Sequence, residues 1–458
     1  MAATQQTINP ANGEPISTYE LMSDAEADAR VVETHKAFEW WRQTPLAERC
    51  QIVRSIGRLL RERADEFTQL MTLEMGKPIS QGGGEIELCA AICDYSAEHA
   101  HTILGDEERA FDGGRGLITY QPLGVILGIQ PWNFPMYQVV RYAIASIVAG
   151  NTVLLKHAPN VWGMALALEK LFVEAGLPES VFTVLLIDNA QIERLIGHDK
   201  VCGVTLTGSP AAGRAVGSKA GECLKKSVLE LGSNDAYIVL ADADIDAAVA
   251  DCVQGRIYNG GQTCIAAKRF IVVDSVYDEF RTKFLDQLAA IDYGDPTDPN
   301  TQLGPLARAD LRDTLHDQVM RSVAEGARCS LGGELPDGPG FFYPVTLLEN
   351  VEPGMAAYDE ELFGPVASLI RVSDEAQAIR VANDSRFGLG GGLFSQDTER
   401  ATQIARDLFD TGMININGYN MAQAELPFGG VKESGYGREH GGFGMREFVN
   451  VKSLMITG

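Results

Sequence analysis

Two residues of this chain are set where they could do covalent chemistry. Cys264 follows Tyr258-Asn259-Gly260-Gly261-Gln262-Thr263, two glycines within a short polar run. Glycines there let the backbone approach a ligand closely and turn freely, so a thiol can stand at the floor of a cleft with its own N–H available to donate. A thiol with an ordinary pKa near ~8.5 attacks a carbonyl only as thiolate, and needs a base or a positive field beside it. Upstream, Glu230 stands in Val228-Leu229-Glu230-Leu231-Gly232-Ser233-Asn234, one carboxyl in an apolar run that ends at a turn. Such a setting raises a carboxyl's pKa toward the range useful for a general base. Taken singly, each has a plainer reading as a core thiol or a solvated carboxylate.

Elements that could position this pair follow from periodicity. Residues 24–75 read as helices starting at Asp24-Ala25-Glu26, with Trp40 and Trp41 as packing residues, and residues 85–101 as a further helix with Cys89 and Cys93 one turn apart as core thiols. From Gly113 short strands begin, at 117–120 and 125–129. Helices at 136–148, 162–175 and 191–196 then alternate with strands at 152–156, 181–186 and 203–207. This βαβα order predicts an α/β fold with a parallel sheet, and ligands beyond the carboxyl ends of its strands. Thr207-Gly208-Ser209-Pro210-Ala211-Ala212-Gly213 leaves the last of those strands and opens a helix. It serves equally as a phosphate site at a helix N-terminus or as an ordinary helix capped by Ser209.

Beyond Gly232 a second α/β region is expected, with helices at 244–254, 276–290 and 311–325, a strand at 269–274, and loops at 295–300 and 332–340. Two stretches dense in glycine and aromatic residues, 360–366 and 427–439, read as backbone packed around a site.

A chain of 458 residues is expected to form more than one packed domain. Its net charge of −24 argues against nucleic acid or an anionic membrane as partner. No signal peptide or bilayer-spanning run is visible. Eight scattered cysteines and seven isolated histidines lack metal-site or disulfide-framework spacing, so no metal and a cytoplasmic setting are expected.

Pro131-Trp132-Asn133-Phe134-Pro135, Lys156, Thr207-Gly208-Ser209, Glu230-Leu231-Gly232, Gly261-Gln262-Thr263-Cys264, Glu361-Leu362-Phe363-Gly364-Pro365 and Pro427-Phe428-Gly429-Gly430 stand in the order and rough spacing of the aldehyde dehydrogenase superfamily, over nearly the whole chain. Within it the chain looks most like the shorter bacterial succinate-semialdehyde dehydrogenases, through Gln138-Val139-Val140-Arg141 and Leu155-Lys156-His157-Ala158-Pro159-Asn160. The resemblance implies a Rossmann-type NAD(P)-binding domain at 1–112 and 125–231, an α/β catalytic domain at 232–440, and a small β oligomerisation flap at 113–124 and 441–458, assembled as a homodimer or homotetramer.

It also implies roles. Cys264 is the nucleophile, Glu230 the base that activates water, and Asn133 an oxyanion donor together with the Cys264 N–H. Lys156 and Glu361 take the two riboses, Ser209 the pyrophosphate and Phe363 the side of the nicotinamide, with Trp132, Gly208, Gly213 and Leu231 completing the cofactor set. NAD is expected to be preferred and NADP tolerated, because Pro159 stands where NADP-using relatives often carry a serine donor. Arg141, Thr263 and Ala422 are the expected substrate contacts, Arg141 gripping a distal carboxylate.

There are departures. Relatives often carry a serine and an arginine where this chain has Met421-Ala422-Gln423-Ala424-Glu425-Leu426, Glu425 would repel a dicarboxylic product if it faced the tunnel, and Ser233 replaces a second glycine after Glu230-Leu231-Gly232. Two other readings use the same residues: the same chemistry on a larger or aromatic aldehyde, or an inactive scaffold with a binding role.

Overall fold

The computed structural model describes residues 3–457. Two mostly parallel sheets carry the molecule. The first has six strands in the order Gly435–Tyr436, Lys226–Glu230, Val201–Thr207, Val125–Gln130, Thr152–His157 and Phe182–Val184. All its neighbours run parallel except the short Gly435–Tyr436 edge, which lies antiparallel to the strand of Glu230. The Val125–Gln130 and Thr152–His157 strands are buried along their whole length, as the unbroken apolar runs of a sheet covered on both faces require. Their carboxyl ends release the Trp132-Asn133 turn, the segment after Lys156, the Gly208-Ser209 turn and Leu231 on one edge of the sheet.

The second sheet has seven strands in the order Arg328–Leu331, Thr346–Glu349, Val366–Val372, Arg269–Val273, Ala236–Val239, Gly391–Phe394 and Asn415–Ile416, parallel but for the first. Only one of these, at 269–274, is legible in the sequence; Val366–Val372 is hidden behind the glycine-containing stretch 360–366, and the other five are runs of two to four residues, too short for a clear period. Three further strands form a separate antiparallel sheet: Gly114–Pro122 pairs with Val449–Thr457 and, through a tight turn, with Glu107–Phe111. That third strand begins before the boundary expected at residue 113.

Most helices fall where periodicity sets them, with shifts of a few residues. Ser23 caps the first helix, Asp24–Trp41, in a reciprocal capping box with Glu26. The helix expected at 85–101 runs instead over Ile79–Ile103. Its leading Gly82-Gly83-Gly84 looks like a breaker, but a Cβ at Gly82 would stand 2.6 Å from Thr68, on the neighbouring Ala64–Met75 helix. The two helices approach too closely there for a side chain, and the contact overrides local propensity. Trp41 is buried as expected, whereas Trp40 is 44% exposed and packs edge-on against it.

Candidate active site

The Tyr137–Ala149 helix is buried at every position, and its start is fixed by a buried carboxylate. Glu85 accepts from the N–H groups of Met136 and Tyr137 at 2.9 Å each and is ion-paired with Lys77. Lys77 in turn lies over the Phe134 ring, 4.1 Å from its centroid. His157, which accepts from the Ala158 N–H on Nδ1, donates from Nε2 to the Pro135 carbonyl at 2.8 Å. These contacts hold the turn from which Asn133 projects.

Asn133 itself is oriented without ambiguity. Its Nδ2 donates to the Gln262 carbonyl at 3.0 Å, its Oδ1 accepts from Gln138 Nε2 at 3.4 Å, and its own carbonyl accepts from Asn259 Nδ2 at 2.8 Å. The amide NH2 therefore faces the segment leading to Cys264. In that segment Asn259 and Gly260 adopt left-handed φ of 54° and 66°, so the chain turns sharply. At Gly261 (φ +71°) a Cβ would lie 2.4 Å from the Gly364 carbonyl oxygen, so only glycine fits. Arg256 Nη2 donates to the Gly261 carbonyl at 2.7 Å. Thr263 is buried with its hydroxyl on the Tyr258 carbonyl.

The Cys264 side chain is half-buried against Ile265, Leu389 and Phe428. Its N–H meets no acceptor among the described residues. Burial pushes the thiol up to about 12, while the Arg141 and Lys268 charges pull it down. Glu230 ends its strand beside Thr207 on one side and Gly435 on the other. Its carboxyl is buried, and both oxygens lack a protein partner. Burial holds it well above the usual carboxylate range, against the opposing pull of Arg141. A buried carboxyl without a hydrogen bond is costly to keep; one that must accept a proton from water needs that free acceptor.

Arg141 departs from expectation. Its side chain is fully buried and ion-paired with Glu439, and Nη2 donates to Thr207 Oγ1 at 2.7 Å. The guanidinium lies over the rings of Phe428 and Tyr137, at 4.7 and 5.2 Å. Nη1 has no protein partner. A two-pronged grip on a substrate carboxylate is thus closed off while Glu439 holds the other edge of the fork. Ala422 lines a cavity of about 450 Å³ with Asn415, Asn420, Met421 and Gln423, and no lysine or arginine borders it. Glu425 is exposed and lies outside that lining.

At the cofactor edge, Ser209 caps the Pro210–Glu222 helix, its hydroxyl accepting from the Ala212 N–H at 3.3 Å. The Gly208 N–H donates to the Glu230 carbonyl at 3.0 Å, tying this turn to the neighbouring strand. Gly213 faces Leu231, whose Cδ1 would lie 2.5 Å from a Cβ there. The space at Gly213 is thus taken by Leu231. Lys156 donates to Asn189 Oδ1 at 2.8 Å, and burial lowers its pKa to about 8. Trp132 and Phe363 meet edge to face at 5.8 Å. Glu361 accepts from the Ser233 N–H at 3.0 Å, and a Cβ at Gly232 would lie 2.2 Å from its Oε2. The Ser233 hydroxyl, absent from a glycine, donates to Asp235 and accepts from the Leu389 N–H at 3.4 Å. A helix N-terminus and a lysine as donors, with a carboxylate as acceptor, suit a dinucleotide's phosphates and ribose hydroxyls.

Sequence reasoning missed Lys268, Glu439, Glu85 and His157. A signal existed for Lys268: a charge at the end of Ile265-Ala266-Ala267, leading into the apolar strand Arg269–Val273, has to be buried with partners.

The profile of the aldehyde dehydrogenase family matches residues 1–454. The chain is 46% identical over 446 residues to a succinate-semialdehyde dehydrogenase (NADP+) of Deinococcus radiodurans, across 97% of this chain and 93% of that protein. It is 45% identical over 448 residues to the succinate semialdehyde dehydrogenase (NAD(P)+) Sad of Escherichia coli, across 98% and 97%. Among solved structures, a succinic semialdehyde dehydrogenase from Streptococcus pyogenes in complex with NADP+ superposes with a TM-score of 0.97 at 38% identity, over 99% of this chain and 100% of that one.

Proposed function

The chain belongs to the aldehyde dehydrogenase family, and from that premise we propose that it oxidises succinate semialdehyde to succinate with NAD or NADP, through a covalent intermediate on Cys264. The observation that carries this reading is the half-buried Cys264 thiol with its N–H unengaged and the Asn133 amide aimed at its segment.

Cys264, as thiolate, attacks the aldehyde carbon. The oxyanion that forms takes hydrogen bonds from the Cys264 N–H and the second hydrogen of Asn133 Nδ2, donors fixed before the charge develops. The first-turn amides after Ser209, with Lys156 and Glu361, would hold the dinucleotide, which supplies the hydride acceptor for the adduct. Hydrolysis of the Cys264 thioester then needs water deprotonated by Glu230, whose free carboxyl oxygens suit that task. A sulfur serves both halves, as a strong nucleophile first and a good leaving group afterwards.

Pro159 is the one residue that favours NAD over NADP. The named relatives carry NADP+ or NAD(P)+ in their names, which supports use of either dinucleotide. Arg141 reads the substrate carboxylate through Nη1, the nitrogen with neither a hydrogen bond nor an ion pair to the protein. Turnover of succinate semialdehyde is expected to exceed that of hexanal and benzaldehyde about a hundredfold in kcat/KM, roughly 2.7 kcal/mol, with both NAD and NADP. An Arg141→Leu variant cannot isolate the contact, since it strips Glu439 of its counter-ion and so disturbs every substrate. Arg141→Lys keeps the charge and shortens the reach. Initial rates should fall about tenfold more for succinate semialdehyde than for hexanal; equal losses would remove Arg141 from substrate recognition.

The chain assembles as a homodimer or homotetramer through its three-stranded flap, which exposes Phe111, Val451, Leu454 and Met455, the last at 78%. Apolar side chains clustered on an outer strand favour an interface. Sedimentation of the intact chain should give two or four copies, and Leu454→Lys with Met455→Lys should lower that number; a monomer in the unmodified protein would overturn the assignment.

A further inference from the structure

Lys268 enters the strand Arg269–Val273 four residues after Cys264, with its side chain 1% exposed. Its Nζ donates to the carbonyls of Cys264 at 2.6 Å and Thr263 at 3.1 Å, and lies 3.4 Å from Glu361 Oε1. An ammonium has three N–H donors, and these three acceptors use them all. Pulling both carbonyls inward turns the intervening peptide so that the Cys264 N–H is left facing away from the protein's own acceptors. A buried cation between a thiol and a carboxylate is divided between them: whatever field the carboxylate cancels does not reach the thiol.

We propose that Lys268 is a positioning residue that links cofactor occupancy to the Cys264 thiol. With Glu361 turned toward it, the ammonium is shared with that carboxylate. When Glu361 takes a ribose hydroxyl, its charge is drawn toward the ribose and the ammonium acts on the Cys264 peptide and sulfur alone. This rests on Cys264 as the nucleophile and Glu361 as the ribose acceptor. In the lysine-facing position the Ser233 N–H donates to Glu361 and the bare Gly232 leaves it room.

Other groups face the thiol and stay in place throughout. Arg141 acts on it from the Tyr137–Ala149 helix, and Asp235 from the start of the Ala236–Val239 strand, held by the Ser233 hydroxyl and, at 3.1 Å, by the Gly390 N–H. The phenols of Tyr137 and Tyr419 complete the set. Of the charged groups on this roster, Glu361 is the one that a ribose would engage.

The test is the rate of Cys264 alkylation by iodoacetamide against pH, read on the Cys264 peptide by mass spectrometry, with and without NAD+. In the unmodified enzyme NAD+ should move the midpoint down by about one pH unit, a tenfold gain in rate below it. In Lys268→Met the two profiles should coincide, at or above the midpoint of the free unmodified enzyme, and Lys268→Arg should restore part of the shift. Glu361→Gln, which needs no cofactor for its readout and leaves Lys268 in place, should lower the midpoint of the free enzyme by itself. A Lys268→Met variant that keeps the full NAD+ shift, or a Glu361→Gln variant whose free profile matches the unmodified enzyme, overturns the proposal. Aldehyde oxidation surviving in Cys264→Ala would instead overturn the nucleophile, so the two failures are told apart.

Discussion

Replacing Cys264 with alanine should abolish aldehyde-dependent formation of reduced cofactor, a loss of at least about ten-thousand-fold in kcat, because no second group in the site can form the acyl bond. The exchange removes one half-buried sulfur from its contact with Ile265, Leu389 and Phe428, so the cost in stability is about 1 kcal/mol and the fold survives. Initial rates together with the thermal unfolding midpoint separate the two effects. A folded variant that keeps even a hundredth of the rate would shift the nucleophile elsewhere. Cofactor binding, measured by quenching of intrinsic fluorescence, should be unchanged within a few-fold, since the proposed dinucleotide contacts lie on other strands.

The second large effect is expected at Glu230→Gln. An amide keeps the shape of the side chain and removes its capacity to take a proton, so acylation proceeds and release of the acid stalls. Steady-state turnover should fall about a thousandfold, yet the first moments of reaction should still give a burst of one reduced cofactor per active site. Loss of burst and turnover together would mean that Glu230 acts before the thioester rather than after it. The sign with pH follows from burial, which raises the Glu230 carboxyl. As the base form exists only above that raised value, release in the unmodified enzyme climbs with pH, and in Glu230→Gln this limb disappears from the single-turnover hydrolysis of an acylated enzyme.

How much of this was legible in the sequence differs with the physics of each residue. Four strands of the first sheet could be read because they are apolar runs separated by helices, whereas Lys226–Glu230 and the two-residue Gly435–Tyr436 edge could not. Most of the second sheet could not, because runs such as Gly391–Phe394 and Asn415–Ile416 carry too few residues for any periodicity, and their pairing is set by tertiary contact. Cys264 and Glu230 stood out through their settings of glycine and apolar run, and Asn133 only through the resemblance of its motif to the family's. Arg141 was seen as a residue but not in its partner: Glu439 lies 298 positions away, and nothing local in Gly437-Arg438-Glu439-His440 says that this carboxylate will be buried against a guanidinium. The same holds for Glu85, which looks like one more acid on a helix until the fold sets it on the amides of Met136 and Tyr137.

The edge strand Gly435–Tyr436 lies against Leu229 and Glu230, and the neighbouring Ser434 carbonyl accepts from the Leu231 N–H at 3.0 Å. Its hydroxyl donates to the Gly232 carbonyl at 2.8 Å. The strand bearing Glu230 is thus walled on its outer side by residues that leave the ribosome some two hundred positions after it. During synthesis the thiol segment and most of the first sheet emerge well before this wall exists. A nascent or proteolytically shortened chain ending ahead of Ser434 therefore carries Cys264 and Asn133 without the clamp on the Glu230 strand. Competence to release product therefore arrives only with the last stretch of the polypeptide.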